Sequence, residues 1–233
     1  MRVLLLVVLS ACGRVGFDGA ADAGSAYPAP TARYLMNDDP TDGVRDATGN
    51  GHDGTCTNCP VLVEAVDASG YQFAGNTGTP TLITVPFDAA FDTSTGVTFA
   101  FWAKPSTVGG CPVGKLFGTG TANSWQVCAS VPTNGQLTTC AGDPCAFADN
   151  QVVANAWRRV VVIHDNVHSR TIVNGHPVID IPTTRMIEDG SPITIGGDID
   201  NGAVVLPWDG VIDDVIIWNH PLSDEELALV LAP

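Results

Sequence analysis

The chain has 233 residues, among them 25 glycines and 16 prolines, and its 25 acidic residues outnumber 10 basic ones to give a formal net charge of −15. This length lies within the range of a single all-β domain and is sufficient to bury a sizeable core. The negative charge argues against nucleic acid as a partner and against electrostatic binding to anionic lipid, and it is compatible with calcium. Acidity also keeps an exported protein soluble, which is the simpler explanation of the charge.

The first residues have the pattern of an export signal. The apolar run at residues 3–9 is too short to span a bilayer as a mature helix. It ends in Leu-Ser-Ala-Cys at residues 9–12, which resembles a bacterial lipoprotein signal; an ordinary secretory leader is the alternative. The resemblance implies a signal peptide at residues 1–11 and lipid on Cys12. Residues 12–30 are then the lipidated cysteine and a flexible linker rich in Ala, Gly, Asp and Pro.

Apolar and β-branched segments separated by turn residues predict strands along most of the chain. The clearest is Val97 to Lys104, whose side chains alternate between two faces, and Asn174-Gly175 is the strongest hairpin signal. The other predicted strands are Ala32 to Met36, Tyr71 to Phe73, Thr81 to Val85, Lys115 to Thr119, Ser124 to Ser130, Gln136 to Cys140, Trp157 to His164, Thr171 to Val173, Pro177 to Ile181, Ile193 to Ile195 and Val211 to Trp218. Strands at this spacing indicate an all-β fold, a two-sheet antiparallel β-sandwich or jelly roll.

The last segment predicts a strand followed by a short C-terminal helix. Residues 211–218 alternate as a strand buried on both faces, with Val211, Asp213, Val215 and Ile217 on one side. Ser223 is placed to begin the helix, with Glu226 as its capping-box partner. Two acids inside an apolar strand are costly unless they meet hydrogen-bond donors or a cation, so Asp213 and Asp214 require partners.

Cysteine usage supports export. Six cysteines remain after Cys12, and an even number in an exported chain predicts disulfides, of which many pairings are possible. Closeness in sequence favours Cys56–Cys59 and Cys140–Cys145, which leaves Cys111–Cys128. Zinc bound by four of the thiolates is the alternative, although an oxidising compartment favours the bridges.

Residues 208–226 resemble the closing motif of laminin-G-like (concanavalin A-like) jelly-roll domains, a strand with Ile-Asp-Asp-Val followed by a Leu-Ser-Asp-Glu-Glu helix. Further segments resemble motifs of that family and occur in the right order; they are residues 46–55, 71–75, 97–105, 157–165 and 171–175. Ala74 replaces an Asp that is usual in one of these motifs. The resemblance covers about residues 31–231 and implies one jelly-roll domain over residues 31–233.

Aspartates in the loops and in the last strand are candidate calcium ligands. Calcium takes about six to eight oxygen ligands, and similar domains often hold a structural calcium between an early loop and the last strand. The candidates are therefore Asp213 and Asp38. Capping of turns by backbone N–H bonds is the favoured explanation for the acids of the early loop, which are Asp38, Asp39, Asp42, Asp46 and Asp53.

Catalytic signals are weak. Some proteins of the same fold cleave β-glucans with a Glu-x-Asp-x-x-Glu strand, because retaining hydrolysis needs two carboxylates about 5 Å apart. The four glutamates, at positions 64, 188, 225 and 226, do not form that pattern. The sequence contains neither Gly-x-Ser-x-Gly nor His-Glu-x-x-His. These observations predict a protein that is not an enzyme.

Tryptophan is well suited to stacking on sugars, which makes exposed tryptophans candidate ligand-binding residues. Trp102, Trp157 and Trp218 lie in strongly patterned strands and are expected to pack in the core, whereas Trp125 and Trp208 adjoin turns and are the ligand-binding candidates. The predicted function is a non-catalytic binding module for a glycan or a protein at the cell surface. The alternatives are a glycoside hydrolase of the same fold and a purely structural envelope lipoprotein.

The predicted location is the cell envelope, or secretion if the leader is an ordinary one. Contact with the membrane is expected through the lipid anchor alone, because the negative charge disfavours direct adhesion. Gly13 after the lipidated cysteine favours, by resemblance to other lipoproteins, transport to an outer membrane.

Overall fold

The computed structural model describes residues 27–75, 78–115, 125–186, 188, 190–200 and 202–232. Cys12, its lipidation and the predicted signal peptide lie outside these residues, as does most of the predicted linker. Strands form most of the described chain, joined by two 3₁₀ turns (Pro40–Asp42 and Ala89–Phe91) and followed by helix α1 (Asp224–Leu231). Within that part of the chain, no helix is long and apolar enough to cross a membrane.

The strands are, in chain order, β1 (Ala32–Tyr34), β2 (Thr55–Cys56), β3 (Val61–Glu64), β4 (Ser69–Phe73), β5 (Ile83–Val85), β6 (Val97–Lys115), β7 (Trp125–Ser130), β8 (Gln136–Ala141), β9 (Ala146–Ala148), β10 (Arg158–His164), β11 (His168–Val173), β12 (His176–Pro182), β13 (Ile193–Ile195), β14 (Asp198–Asp200), β15 (Ala203–Val205) and β16 (Asp209–Trp218). The pair β14–β15 forms a separate two-stranded sheet, and all other strands belong to one continuous antiparallel ladder.

Strand β6 divides this ladder into two layers. Its first half pairs with β10 and β16, and its second half pairs with β7 and β13. The first layer therefore runs β12-β11-β10-β6-β16, with β1 and the β4–β3 pair on the far edge of β16, and the second runs β9-β8-β7-β6-β13-β5-β2. Between the halves, Gly109 and Gly110 have φ values of 100° and 122°, which only glycine adopts readily. The predicted two-sheet antiparallel β-sandwich is confirmed.

The core lies between the two layers. The inward residues of β6 are Val97, Phe99, Phe101 and Ala103, all buried, as their alternation predicts. The Phe99 ring stacks on Trp125 of the second layer at a centroid distance of 4.0 Å. Burial of such large side chains is the main stabilising contribution, at about 25 cal/mol per Å² of apolar surface.

Helix α1 covers one end of the outer face of the first layer. Apolar residues of that face, such as Ala100, Ile163 and Trp218, form a second cluster with Leu222 and Val230. The helix begins with the predicted capping box. Glu226 N–H donates to Ser223 Oγ at 3.2 Å, and Ser223 N–H donates to Glu226 Oε2 at 2.9 Å.

Three disulfides are present, Cys56–Cys59, Cys111–Cys128 and Cys140–Cys145. These are the pairs that closeness in sequence favours, and they leave no free thiolate among these six cysteines to bind zinc. Cys111–Cys128 joins β6 to β7, whereas the other two bridges each close a short loop.

Candidate functional site

The two tryptophans that the sequence predicts as ligand-binding residues are core residues. Trp125 and Trp208 are each 1% exposed. Trp125 begins β7, whose alternation turns Trp125, Val127 and Ala129 inward. Trp208 is packed beside Gly75 and Gly110, where an added Cβ would lie within 3 Å of its backbone. Neither indole can present a face to a ligand, so that prediction is wrong.

Two other tryptophans are partly exposed instead. Trp102 in β6 and Trp157, just before β10, lie on the outer face of the first layer, beyond the end that α1 covers. The expectation that both pack in the core is therefore also wrong. Each carries a cation over its ring. Arg159 Cζ lies 5.6 Å from the Trp102 ring centroid, and Lys104 Nζ lies 5.1 Å from that of Trp157. We call Trp102, Lys104, Trp157 and Arg159 the Trp–cation face.

Regular strand pairing fixes this face. Trp102 and Lys104 alternate with the buried residues Phe101 and Ala103, and Trp102 stands opposite Arg159 in the β6–β10 ladder. The Arg159 backbone is held on its other side, where its N–H donates to Asn174 Oδ1 at 2.9 Å and its carbonyl accepts from Asn174 N–H at 2.9 Å. The Arg159 backbone is therefore hydrogen-bonded on both edges.

The two cations of the Trp–cation face differ from Arg33 and Arg170 of the first layer. Arg33 pairs with Asp214 at 2.7 Å, and Arg170 pairs with Asp224 at 3.0 Å. Among the residues that the structure describes, neither Lys104 nor Arg159 forms an ion pair with a carboxylate. Their positive charges are therefore available to a ligand.

Tyr27 borders the face. Its ring lies 6.4 Å from that of Trp218, and Trp218 Nε1–H donates to Pro28 O at 3.0 Å, which holds the first described residues against the outer face of the first layer. Burial raises the pKa of Tyr27, and the positive charges of Arg33 and Arg159 act in the opposite direction. Tyr27 therefore lies close enough to Arg159 to sense its charge.

Asp213 borders the face on the other side, because it stands opposite Trp102 in the β6–β16 ladder. It is fully buried, and its Oδ2 accepts hydrogen bonds from the N–H groups of Val66 at 3.1 Å and Asp67 at 3.0 Å. Its Oδ1 has no partner within the described residues. Burial, together with the nearby charge of Asp214, raises the pKa of Asp213 to about 6 despite those two hydrogen bonds.

Asp214 occupies a β-bulge. Asp213 pairs with Trp102 and Ile216 with Ala100, so Asp214 and Val215 together stand opposite Phe101. Asp214 has a φ of 46°, a conformation that Asp tolerates better than most residues, and its carboxylate bonds Arg33 Nε–H. Both acids of the last strand thus have partners, N–H donors for one and a guanidinium for the other.

Asp213 keeps one carboxylate oxygen without a hydrogen-bond partner in the described part of the chain. Calcium needs about six to eight oxygen ligands, and the free Oδ1 of Asp213 would supply one of them. The other candidate, Asp38, accepts the Tyr71 hydroxyl at its backbone oxygen at 2.9 Å, and Tyr71 belongs to the core side of the sheet. No group of three or more His, Cys, Asp or Glu side chains within the described ranges is arranged to hold a metal ion. Calcium at Asp213 remains a prediction.

In the early loop, three of the five carboxylates, those of Asp39, Asp46 and Asp53, act as turn caps, as expected. Asp46 Oδ1 accepts from the N–H groups of Arg33 and Thr48 and from the Thr48 hydroxyl, at 2.7 to 3.1 Å. Burial opposes ionisation of Asp46, but these bonds and that from His52 N–H together lower its pKa. Asp53 and Asp39 cap the N–H groups of Asp46 and Thr41 in the same way.

The glutamates have structural settings. Glu188 forms an ion pair with the buried Lys115 and accepts from Thr93 N–H at 3.3 Å. Glu226 completes the capping box beside Glu225 in the first turn of α1, and Glu64 ends the edge strand β3. None of them lies in the strand pattern of the β-glucan-cleaving enzymes.

The outer face of the second layer is different in character. Cross-strand register aligns one row of residues there, Thr55, Thr84, Thr194, Gly114, Gln126 and Cys140. The row carries neither charge nor aromatic ring. A pocket of about 340 Å³ lies near it beside the Cys111–Cys128 bridge, with Val108 and Leu206 exposed at its edge.

Comparison with known proteins agrees with this architecture. The family model described as the concanavalin A-like lectin/glucanases superfamily matches residues 76–228. The chain belongs to this superfamily. No curated protein matches the sequence. This superfamily member nevertheless has the fold of several solved structures with which it shares little sequence.

One similar structure is domain 4 of AbnA, a GH43 extracellular arabinanase from Geobacillus stearothermophilus, solved in complex with arabinotriose. It shares 16% identity at a TM-score of 0.65, covering 88% of this chain and 98% of that domain. Another is the binding domain of Paraclostridial Mosquitocidal Protein 1, with 15% identity and a TM-score of 0.66 over 85% of this chain and 51% of that one. A third is Trypanosoma rangeli sialidase in complex with the inhibitor DANA, with 16% identity and a TM-score of 0.63 over 90% of this chain and 34% of the sialidase. At such low identities the similarity establishes the fold alone.

Proposed function

We propose that this chain is a non-catalytic, extracytoplasmic binding module that recognises a glycan, and that the Trp–cation face is its binding site. The observation that carries the proposal is the pair of partly exposed indoles, Trp102 in β6 and Trp157 just before the adjacent strand β10, on the outer face of one layer. Indole rings pack against the C–H faces of sugars, and ring N–H groups and neighbouring cations bind sugar oxygens.

The rigidity of the face favours binding. Three of its side chains project from paired strands and Trp157 lies directly before β10. Each cation is already held over a ring, so little side-chain entropy is lost when a ligand arrives. The fold adds support, because a domain of nearly the same extent in the Geobacillus arabinanase was solved with an arabinose oligosaccharide bound. The sialidase was also solved with a bound inhibitor, but the part of it that matches this chain is only about one third of its length.

The non-catalytic assignment is supported by the setting of the carboxylates. Asp213 is buried with two N–H donors, Asp214 is paired with Arg33, and Glu188 is paired with Lys115. Lipidation of Cys12 in the cell envelope belongs to the same proposal, because a linker after that cysteine would hold a binding domain near its glycan.

A glycan array with purified protein tests the proposal. Wild type is expected to bind at least one glycan, and Trp102→Ala and Trp157→Ala are each expected to weaken that binding by roughly 2- to 10-fold, from the loss of one aromatic contact. Phe147→Ala is the matched control, since Phe147 is an exposed aromatic residue of β9 in the second layer. Absence of any bound glycan, or equal binding by all three variants and wild type, would contradict the proposal.

A further inference from the structure

We infer that the glycan recognised at the Trp–cation face is anionic, carrying carboxylate or sulfate groups that pair with Lys104 and Arg159. This inference rests on the proposed function and specifies its ligand class. It follows from the juxtaposition of two cations without carboxylate partners and the two partly exposed indoles over which they lie.

The pairing of charges across the first layer supports an anionic ligand. Arg33 and Arg170 are neutralised by Asp214 and Asp224, whereas Lys104 and Arg159 face solvent without a carboxylate among the described residues. A protein with 25 acidic and 10 basic residues offers many partners to a surface cation. Three other described arginines, at positions 45, 158 and 185, also form no ion pair with a carboxylate. Lys104 and Arg159 are distinguished from them because each is unpaired and also lies over an indole ring.

The position of the cations also argues against a neutral ligand held by stacking alone. Lys104 Nζ and the Arg159 guanidinium lie over the indole rings, at 5.1 and 5.6 Å from the centroids. A neutral sugar would have to displace them before it could stack. An anionic sugar can instead contact ring edges while its acidic groups bind the cations where they already lie, and a guanidinium can bind a carboxylate or sulfate with two parallel hydrogen bonds.

The formal net charge of −15 does not prevent this binding. The Debye length is about 8 Å at physiological ionic strength, so a ligand on the face senses mainly the charges within that distance. Two acids of the adjoining strand β16 are already engaged, Asp213 by two backbone N–H groups and Asp214 by Arg33. The total charge does disfavour the other polyanionic partner, an anionic lipid surface, because a broad surface contacts more of the protein than a sugar chain does.

Matched pairs of polymers that differ in charge alone test the inference. Polygalacturonate is compared with its methyl ester, and dextran sulfate with dextran, by titration with the purified full chain. We expect the acidic member of at least one pair to bind at least about tenfold more tightly than its neutral partner at low salt, and salt at about 0.5 M to weaken that binding several-fold. The pair that responds shows whether carboxylate or sulfate is recognised.

Charge variants locate the effect. Lys104→Gln and Arg159→Gln are each expected to weaken binding of the acidic polymer by roughly three- to tenfold. Lys104→Arg should retain most of it, whereas Arg159→Lys should retain only part, because the ammonium cannot form the two parallel hydrogen bonds of the guanidinium. Arg185→Gln is the control, because Arg185 is exposed and forms no ion pair in the described structure. Coincident thermal unfolding of all variants would show that folding is unchanged.

The outcomes separate the inference from the proposed function. Equal binding of acidic and neutral members of both pairs would overturn the inference, while a neutral glycan found on the array and lost in Trp102→Ala would leave the proposed function standing. Binding to phosphatidylglycerol vesicles without binding to any acidic polymer would assign the face to lipid and overturn the inference. Failure of every glycan on the array would overturn both.

Discussion

The two outer faces of the sandwich are built from the same strand geometry and differ in what their side chains offer. The outer face of the first layer carries α1 at one end and the Trp–cation face at the other. The outer face of the second layer carries a row of threonines, Gly114, Gln126 and Cys140. The paired indoles and cations thus lie on one face and the uncharged row on the other, while both faces share one core. Binding chemistry can therefore vary without changing the residues that stabilise the fold.

Removing one tryptophan from the core and one from the outer face tests how much each region contributes to the free energy of unfolding. Trp125→Ala is expected to destabilise the protein by about 3–5 kcal/mol, because a buried indole and its stack on Phe99 are lost. Trp157→Ala, on the outer face, is expected to cost about 1 kcal/mol or less. Urea unfolding measures both, and equal losses would show that the core and the outer face are not distinct energetically.

The pH dependence of stability sharpens the description of the first layer. The pKa of Asp213 is about 6 in the folded protein, raised from 3.8, so the folded state binds this proton more tightly than the unfolded chain. Stability is therefore expected to fall as pH rises from about 4 to about 6, by about 3 kcal/mol in total from this group. Asp213→Asn should lack that fall.

Urea unfolding of wild type and Asp213→Asn from pH 4 to 7.5 measures the difference between them. Asp38→Asn is the control, since Asp38 is exposed. Parallel pH profiles for wild type and Asp213→Asn would show that Asp213 ionises normally in the folded protein.

Weakening the capping box of α1 tests whether the end of the first layer that α1 covers is coupled to the Trp–cation face. Ser223→Ala removes the hydroxyl that accepts Glu226 N–H, and a loss of about 1 kcal/mol is expected. Ser223→Thr retains an accepting oxygen and should lose less. Binding to the Trp–cation face should be unaffected by either change, and a parallel loss of glycan binding would mean that the two ends of this layer are coupled.

Chelation is expected to have the smallest effect. If a calcium ion binds the free oxygen of Asp213, EDTA should lower the Tm by a few degrees and added calcium should restore it. A bound cation would also keep the carboxylate charged, so calcium should reduce the fall in stability between pH 4 and 6. Identical Tm values with EDTA and with calcium would count against the cation site.

Much of the fold is predictable because alternation and capping are local. The alternation of Val97 to Lys104 and the Ser223–Glu226 capping box both occur in the structure as predicted. The strands that were not predicted, β2, β3, β9, β14 and β15, are no longer than four residues. Segments of that length carry too little periodicity to identify, and pairing with a neighbour determines whether they form.

The site was less predictable, because alternation distinguishes two faces of a strand without showing which one faces the core. Trp102 lies outward since Phe99 and Phe101, on the opposite side of β6, meet the second layer. The β-bulge at Asp214 also breaks the apparent alternation of the last strand, so Val215 and Ile217 face the core while Asp213 faces outward. A bulge depends on the facing strand, and no pattern within residues 211–218 marks it.

The passage of β6 through both layers has a consequence for the dynamics of the molecule. A single 19-residue strand contributes to the ladder on each side of Gly109 and Gly110. Neither layer can open fully without disturbing hydrogen bonds that the other needs, so slow amide exchange should be lost from both layers in one cooperative event. The sandwich then behaves as one unit of folding, and a ligand that stabilises one face protects the whole domain to the same extent.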